Sequence, residues 1–162
     1  MQSTQIRKDK IEEELWVVLE EVKDPEIPVI SIQDLGILRN IERLDEKIII
    51  TITPTYSGCP AMDTICSDIS DALVKSGHKN FEIKTVLAPA WTTDAITEKG
   101  KLKLKAFGIA PPRKRNATDQ TIICPLCQST DTSLISEFGS TACKSLQKCN
   151  HCKESFCSFK PI

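Results

Sequence analysis

Two Cys-x-x-Cys pairs constrain this 162-residue chain more than any other feature of its sequence. They are CPLC at 124–127 and CNHC at 149–152, and 21 residues separate them. A two-residue gap lets both thiolates of a pair bind one ion, and two pairs complete a tetrahedral site with four sulfur ligands. The spacing predicts a module like a zinc ribbon, with the ligands Cys124, Cys127, Cys149 and Cys152. Zinc is the expected ion, and rubredoxin-like iron is the alternative because it uses the same ligand pattern.

The cysteine-rich module spans residues 122–162 and carries few large apolar side chains. So small a core cannot hold the module together, and we expect metal binding to supply its folding free energy. Cys143 and Cys157 lie in the same stretch and exceed the four ligands that one ion needs. Either could be an additional metal ligand, replace one of the four ligands, assist in binding a cluster, or have no part in metal binding.

Charge and hydropathy argue against several classes of protein. The formal net charge is -1, and no stretch approaches the roughly 20 apolar residues of a membrane span. The charged first residues do not read as a signal peptide. Residues 1–112 carry a net charge of -4 and residues 113–162 carry +3, which indicates two units with different surfaces. We expect a cytoplasmic protein with no membrane partner, whose reduced thiols serve as metal ligands.

The spacing of apolar residues predicts a small α/β sandwich ahead of the cysteine-rich module. The first two strands suit an antiparallel hairpin, and the third can lie parallel to one of them because a helix intervenes. The run Ile48–Ile50 is apolar on both faces of its strand, so it belongs inside a covered sheet. The expected order is helix, strand, strand, helix, strand and helix, over 7–22, 35–44, 47–53, 60–76, 81–87 and from Thr92 or Thr93 to Gly108.

Composition divides the chain into an α/β domain over 1–110, a linker over 111–121 and the cysteine-rich module over 122–162. The linker, PPRKRNATDQT, is polar, basic and stiffened by proline. Its basic triplet at 113–115 is of a kind that is solvated more often than it binds nucleic acid. The sequence therefore does not favour a nucleic-acid partner.

Three loops of the α/β domain, at 24–36, 53–60 and 87–94, are candidates for a ligand site. Loops that follow strands and precede helices lie at one end of an open sheet, where such sheets bind ligands. Cys59 stands before a proline that suits the first position of a helix, so we expect it at the helix N-cap, where the helix dipole lowers the pKa of a thiol. Cys59 is thus the predicted reactive thiol, with a small buried apolar residue as the alternative. The supporting candidates, which also suit turns and caps, are Asp24, Asp34, Thr53, Trp91 and Thr93.

A series of motifs also runs through the chain. In order they are DPEIPV (24–29), DLGI (34–37), TPTYSGCPA (53–61), APAWTTD (88–94), GIAPP (108–112), CPLC (124–127) and FGSTACK (138–144). The first three resemble the small metal–sulfur cluster assembly domain of iron–sulfur maturation factors, including SufT-like proteins. The others narrow the resemblance to the PaaD family of accessory subunits, which are encoded with the phenylacetyl-CoA oxygenase (1,2-epoxidase) complex. The resemblance spans nearly the whole chain.

The resemblance implies a non-catalytic role in aerobic phenylacetate degradation: assembly or insertion of an iron–sulfur cluster in the reductase component of the oxygenase. It implies that Cys59 is the reactive or cluster-binding thiol. The implied cofactors are zinc (or iron) at the four-cysteine site and a transient iron–sulfur cluster. The expected partners are the oxygenase subunits, above all the iron–sulfur and flavin-containing reductase, with a second copy of the chain in a homodimer as a further expectation.

Other functions stay open on the sequence. They are a metal-binding adaptor subunit of the oxygenase complex, a thiol enzyme or oxygenase, and a nucleic-acid-binding ribbon. An enzyme would need a base beside Cys59 or a carboxylate–histidine array for a di-iron centre, and the chain has only two histidines. A nucleic-acid-binding ribbon would need stacked aromatic side chains and a strongly basic field. Cys66 is a doubtful helper for Cys59, because it lies about 10 Å further along the helix.

Overall fold

The computed structural model describes residues 2–162, with side chains from Lys10 onward. The chain forms two compact units, Met1–Trp91 and Thr92–Ile162. The first contains α1 (Gln2–Glu20), β1 (Leu38–Leu44), β2 (Lys47–Ile52), α2 (Ala61–Lys75) and β3 (Phe81–Thr85). The second contains a 3-10 turn (Thr93–Ala95), α3 (Glu98–Ala106), β4 (Ile109–Ala110), β5 (Thr132–Ser136), β6 (Lys144–Cys149) and β7 (Ser155–Phe159). Within residues 2–162, no helix has the length and apolar character that crossing a membrane requires.

The first unit is built on a three-stranded sheet in the order β1-β2-β3. β1 and β2 pair antiparallel through a turn at Asp45 and Glu46, where Asp45 takes a positive φ of 55°. β3 pairs parallel to β2, and α2 makes the crossover between them. The hairpin and the parallel third strand confirm the predicted topology of the α/β sandwich.

The core of the first unit lies between its sheet and its two helices. Ile48, Ile49 and Ile50 are all buried, as the apolar run in β2 predicts. α2 turns one face inward at a spacing of four residues, with Ile65, Ile69 and Leu73 fully buried. This packing fixes the end of β2 and the start of α2, and with them the loop at 53–60 that joins the two.

The second unit is built on a four-stranded sheet in the order β4-β7-β6-β5. β5, β6 and β7 run antiparallel to one another, and β4 adds to β7 as a short parallel strand. One face of this sheet carries a small apolar core formed by Ala110, Cys124, Cys149 and Phe156. Two of these four core residues are cysteines of the predicted metal site, so the core of the ribbon and that site are continuous.

The boundary between the units falls at Trp91–Thr92, whereas composition suggests a boundary after residue 110. The reason is β4, whose Ile109 and Ala110 pair with Cys157 and Ser158 of β7. α3 leads directly into β4 and belongs to the same unit. A strand of two residues carries no periodic signal, so the composition of the linker decides the boundary that is read from the sequence.

The predicted helix from Thr92 or Thr93 to Gly108 is wrong over residues 92–97. Thr93–Ala95 forms only a 3-10 turn, and Ile96 then returns to extended backbone. α3 begins at Glu98, because the Thr97 side chain caps it by accepting a hydrogen bond from the N–H of Gly100 at 2.9 Å. The sequence offers threonines at 92, 93 and 97, and a hydroxyl cap is equally available from each of them.

Candidate functional site

The two Cys-x-x-Cys pairs meet in the second unit. The Sγ atoms of all four cysteines lie within 4.8 Å of one another. Cys127 and Cys149 are 3.5 Å apart between their sulfurs, and Cys124 and Cys152 are 3.8 Å apart. Four sulfurs that each lie about 2.3 Å from one central ion would be about 3.8 Å from one another. The thiolate donor set and its spacing therefore fit one tetrahedral zinc ion, and iron in a four-thiolate site as well.

Both pairs are held by the same backbone turn. The residue after the second cysteine of each pair takes a left-handed conformation, with φ of 66° at Gln128 and 68° at Lys153. The N–H of Gln128 donates to the carbonyl of Cys124 at 3.0 Å and closes the first turn. In the second turn the N–H of Cys152 donates to the Cys149 sulfur at 3.5 Å. Such N–H donors stabilise negative charge on the sulfur, which is what a metal-bound thiolate carries.

Two of the four thiols, Cys149 and Cys152, have strongly shifted pKa values. Burial acts to raise the pKa of Cys149, but N–H groups of Cys152 and His151, with the neighbouring thiols, outweigh it and lower that pKa to about 6. The N–H of Glu154 acts to lower the pKa of Cys152, but burial and the neighbouring thiols raise it to about 12. The Cys149 sulfur therefore holds negative charge more readily than the Cys152 sulfur, and a bound cation would favour the thiolate form of both.

Cys143 and Cys157 do not join this cluster. Among the described residues, the group that could hold a metal consists of the four cysteines of the two pairs. Cys143 is buried, and its sulfur lies 3.0 Å from the hydroxyl of Thr141. Cys157 is half-buried in β7, where its residue pairs with Leu146 of β6. An additional metal role for either residue stays a prediction without a geometric counterpart.

The loop that carries Cys59 lies in the first unit, between β2 and α2. Gly58 has a φ of 79°, a backbone conformation that residues with a side chain rarely adopt. Cys59 follows this turn directly, is half-buried, and precedes the helix. Pro60, not Cys59, occupies the N-cap, and α2 begins at Ala61. The predicted position of Cys59 is therefore wrong by one residue, because proline is compatible with both the cap and the first helical position. The N–H of Met62 still donates to the Cys59 carbonyl at 3.3 Å.

The three predicted loops of the first unit meet at residues 35–37. The indole N–H of Trp91 donates to the carbonyl of Leu35 at 2.7 Å. The backbone N–H of Thr53 donates to the carbonyl of Ile37 at 2.9 Å. The first bond connects the loop at 87–94 to the end of the loop at 24–36. The second connects the start of the loop at 53–60 to the residue that follows the loop at 24–36.

The other three predicted supporting residues, Asp24, Asp34 and Thr93, lie in different local environments. The Asp24 carboxylate accepts hydrogen bonds from the N–H groups of Glu26 and Ile27, so it forms the turn that opens the first loop. Asp34 is buried, and its N–H donates to the Ser31 hydroxyl at 3.0 Å. Thr93 belongs to the second unit, where its N–H donates to the carbonyl of Ile162 at 3.2 Å.

The Thr53 side chain is an exception to the usual pairing of buried polar groups. Its residue is only 1% exposed, and its hydroxyl has no hydrogen-bond partner among the residues that the structure describes. A buried hydroxyl without a partner costs about 1–3 kcal/mol. Thr53 stands at the first position of the loop that ends in Cys59 and Pro60, so this cost falls at the entrance to the candidate site.

Replacing Thr53 by valine, which has nearly the same shape, is expected to raise the free energy of unfolding by about 1 kcal/mol. Urea denaturation followed by circular dichroism measures the change. Thr55→Val is the control: this residue is half-exposed in the same loop, and its effect is expected to stay within about 0.5 kcal/mol. A less stable Thr53→Val variant would show instead that the hydroxyl has a partner, such as an ordered water molecule.

Sequence reasoning missed a cleft in the second unit. It has a volume of about 670 Å³ and lies among α3, the segment at 110–125 and the end of β7. Lys101 and Lys105 line it from one face of α3, and Lys160 lines it from the end of the sheet. The four-residue spacing of the two helix lysines is visible in the sequence, but the partners across the cleft are brought there only by the pairing of β4 with β7.

Comparison with known proteins identifies relatives for both units. A family model described as "PaaD zinc beta ribbon domain" matches residues 109–160, and one described as "Iron-sulfur cluster assembly protein" matches residues 12–84. The chain is 43% identical over 152 residues to a protein of Escherichia coli that is named as a component of 1,2-phenylacetyl-CoA epoxidase, covering 92% of each chain. It is 35% identical over 95 residues to an "Fe-S protein maturation auxiliary factor" of Porphyromonas gingivalis, covering 57% of this chain and 90% of that protein.

A solved structure shares the fold of part of this chain. The crystal structure of a "Domain of Unknown Function DUF59" from Bacillus anthracis matches with a TM-score of 0.58 and 27% identity. The match covers 62% of this chain and 96% of that one. The fold of the matched part therefore also occurs in a separately solved chain.

Proposed function

Since the chain belongs to the PaaD family, we propose that it is a non-catalytic accessory factor of a phenylacetyl-CoA oxygenase, which helps to assemble or insert an iron–sulfur cluster in the reductase component. The first unit would handle the cluster, because its matched region contains Cys59 and relatives of this region are named as iron–sulfur maturation factors. The second unit would dock the client. The name of the Escherichia coli relative, as a component of the epoxidase, supports the oxygenase as the recipient complex.

The observation that carries the proposal is the placement of Cys59. A thiol that is half-buried, presented by a left-handed glycine and followed by a helix is accessible to a ligand while its backbone is held. Thr53, at the other end of the same loop, keeps a buried hydroxyl without a partner among the described residues. Such an unpaired group is more typical of a functional loop than of a packed core.

In the proposed mechanism the Cys59 thiolate binds iron of the cluster, which is cargo and not a resident cofactor. One sulfur cannot enclose a cluster, so the client or a second copy of this chain supplies the other ligands. Cys66 is a poor second ligand, because burial and then the charge of Asp63 raise the pKa of its thiol. Transfer exchanges the bond from iron to Cys59 for a bond to a client cysteine, whose proton passes to Cys59. No electron is gained or lost in this exchange.

The proposal is tested by anaerobic reconstitution with iron and sulfide, with Cys59→Ala beside Cys66→Ala as the matched control. We expect the wild type and Cys66→Ala to bind iron and acid-labile sulfide, and to restore activity to the reductase component after its cluster has been removed. Cys59→Ala is expected to lose both properties by at least about tenfold while its zinc content and unfolding midpoint stay unchanged. If Cys59→Ala took up as much iron as the wild type and activated the reductase equally well, the protein would be an adaptor and not a cluster carrier.

A further inference from the structure

The cleft of the second unit has no part in the function proposed above. Its floor is a row of three small residues on one face of the sheet. Ala110 of β4 pairs directly with Ser158 of β7, and Ser158 pairs directly with Ser145 of β6. All three residues line the cleft and are at most 4% exposed. Directly paired residues project from the same face of a sheet, so the cleft exists because three neighbouring side chains are small.

The rim of the cleft is basic. Five Lys and Arg side chains line it against the single carboxylate of Glu98. Glu98 is bound to Lys101 at 2.9 Å, and the guanidinium of Arg113 is bound to Asp119 at 3.2 Å. The other three lysines have no carboxylate partner among the described residues; they are Lys105, Lys114 and Lys160. Three positive charges are therefore uncompensated at one cleft, in a unit that carries 11 Lys and Arg against 6 Asp and Glu.

Two of these lysines, Lys105 and Lys160, interact with neutral groups that leave their charge uncancelled. The ammonium of Lys105 donates to the side-chain oxygen of Gln128 at 2.7 Å. The ammonium of Lys160 donates to the carbonyl of Glu137 at 3.0 Å and lies 4.6 Å from the ring centre of Phe138. Both residues are half-buried, and both line the cleft.

The type of cation indicates the type of anion. Carboxylates are recognised in pairs of hydrogen bonds by the planar fork of arginine, and the one arginine of this cleft is already bound to Asp119. Lysine binds phosphate as a point charge. A volume of about 670 Å³ falls within the range of small-molecule sites, which is roughly 300–1,000 Å³. Phe159, Ile122 and Pro125 add apolar wall on which an organic group can rest.

We propose that this cleft binds an organic phosphate of nucleotide size, with its phosphate groups at Lys105, Lys114 and Lys160 and its organic part over Ala110, Ser158 and Ser145. Nucleoside diphosphates and coenzyme A share this chemistry. The cleft shares no lining residue with Cys59 or with the four metal ligands, although it needs the folded, metal-bound second unit. Its binding can therefore be tested separately from cluster handling.

Isothermal titration of the full, zinc-loaded chain with ADP, coenzyme A and pyrophosphate tests the proposal. Lys105→Glu/Lys160→Glu is expected to weaken binding of ADP and coenzyme A by at least about tenfold. The matched control is Lys84→Glu/Lys148→Glu, which makes the same change in charge at two exposed lysines outside the cleft. Its affinity is expected to stay within about twofold. Zinc content and the unfolding midpoint confirm that each variant is folded.

A second variant separates the floor from the rim. Ser158→Leu fills the floor, so it is expected to abolish binding of ADP and coenzyme A and to leave weak binding of pyrophosphate. If coenzyme A binds more tightly than ADP, the part of coenzyme A that ADP lacks also contacts the cleft. If the two affinities are equal, the nucleotide part alone accounts for binding.

Three results would overturn the proposal. One is the absence of binding by all three phosphates, and another is an equal loss of affinity in the control double variant, which would mean attraction by net charge alone. The third is a preference for an acidic peptide, probed with a capped Glu-Leu-Asp-Leu-Glu peptide, over ADP at the same lysines. That preference would make the cleft a docking site for a protein segment.

Discussion

Removing the metal from the four-cysteine site is expected to unfold the second unit and to leave the first folded. Structural zinc binding is worth about 10–16 kcal/mol in small zinc modules near neutral pH. The core on the metal-bearing face consists of Ala110, Cys124, Cys149 and Phe156, and cores of such small units rarely supply more than about 3–5 kcal/mol. Loss of the metal therefore exceeds the stability that the remaining contacts can provide. Amide spectra should lose the dispersed signals of β5, β6 and β7 on chelation and keep those of β1, β2 and β3.

Cys149→Ser is expected to reproduce the effect of the chelator, because it removes one sulfur ligand and replaces it with a poorer donor. Cys157→Ser is the matched control: this cysteine is half-buried in the same sheet and lies outside the four-sulfur group. The control should keep one metal ion per chain and the signals of all three strands. Retention of those signals in a chelated, metal-free protein would contradict a metal-dependent fold.

Replacing Trp91 by alanine is expected to lower the free energy of unfolding of the first unit by about 3–5 kcal/mol. The residue is 3% exposed, and its indole N–H donates to the carbonyl of Leu35. The substitution removes a large buried side chain and the bond that fastens the third loop to the first. Urea denaturation followed by circular dichroism measures this loss without depending on tryptophan fluorescence.

Trp91→Phe separates the two contributions of that side chain. Phenylalanine keeps most of the apolar burial but cannot donate to Leu35, so a loss of about 1–3 kcal/mol is expected. If Trp91 only supports the loops, both variants should bind iron and sulfide in proportion to their folded fraction. A folded Trp91→Phe variant that fails to bind the cluster would place Trp91 in contact with the cargo.

The sequence predicts well the features that repeat at short range. The polar pair at Asp45 and Glu46, the buried run in β2 and the four-residue spacing in α2 specify the hairpin and its covering helix. The two Cys-x-x-Cys pairs specify the metal site, because each pair is a local unit and only the joining of two such units is long-range. These features carry their own periodicity or ligand chemistry.

Features that depend on contacts between distant parts of the chain could not be predicted from the sequence. The bond between Trp91 and Leu35 joins residues 56 positions apart, and no spacing rule marks it. The start of α3 depended on which of several threonines supplies a cap. The cleft needs the pairing of Ala110 with Ser158, which brings a linker beside the last strand.

The late position of the metal ligands has a consequence for the life of the protein in a cell. The hairpin of β1 and β2, the crossover helix and β3 leave the ribosome before the first sulfur ligand, at position 124, is translated. Domains fold as they emerge, so the first unit completes its fold from the chain alone. The second unit is expected to need a metal ion to fold. When that metal is scarce, newly made chains would carry a folded first unit and an unfolded second unit with open thiols, which oxidants and proteases attack. Metal supply would then affect the abundance of this protein through its rate of degradation.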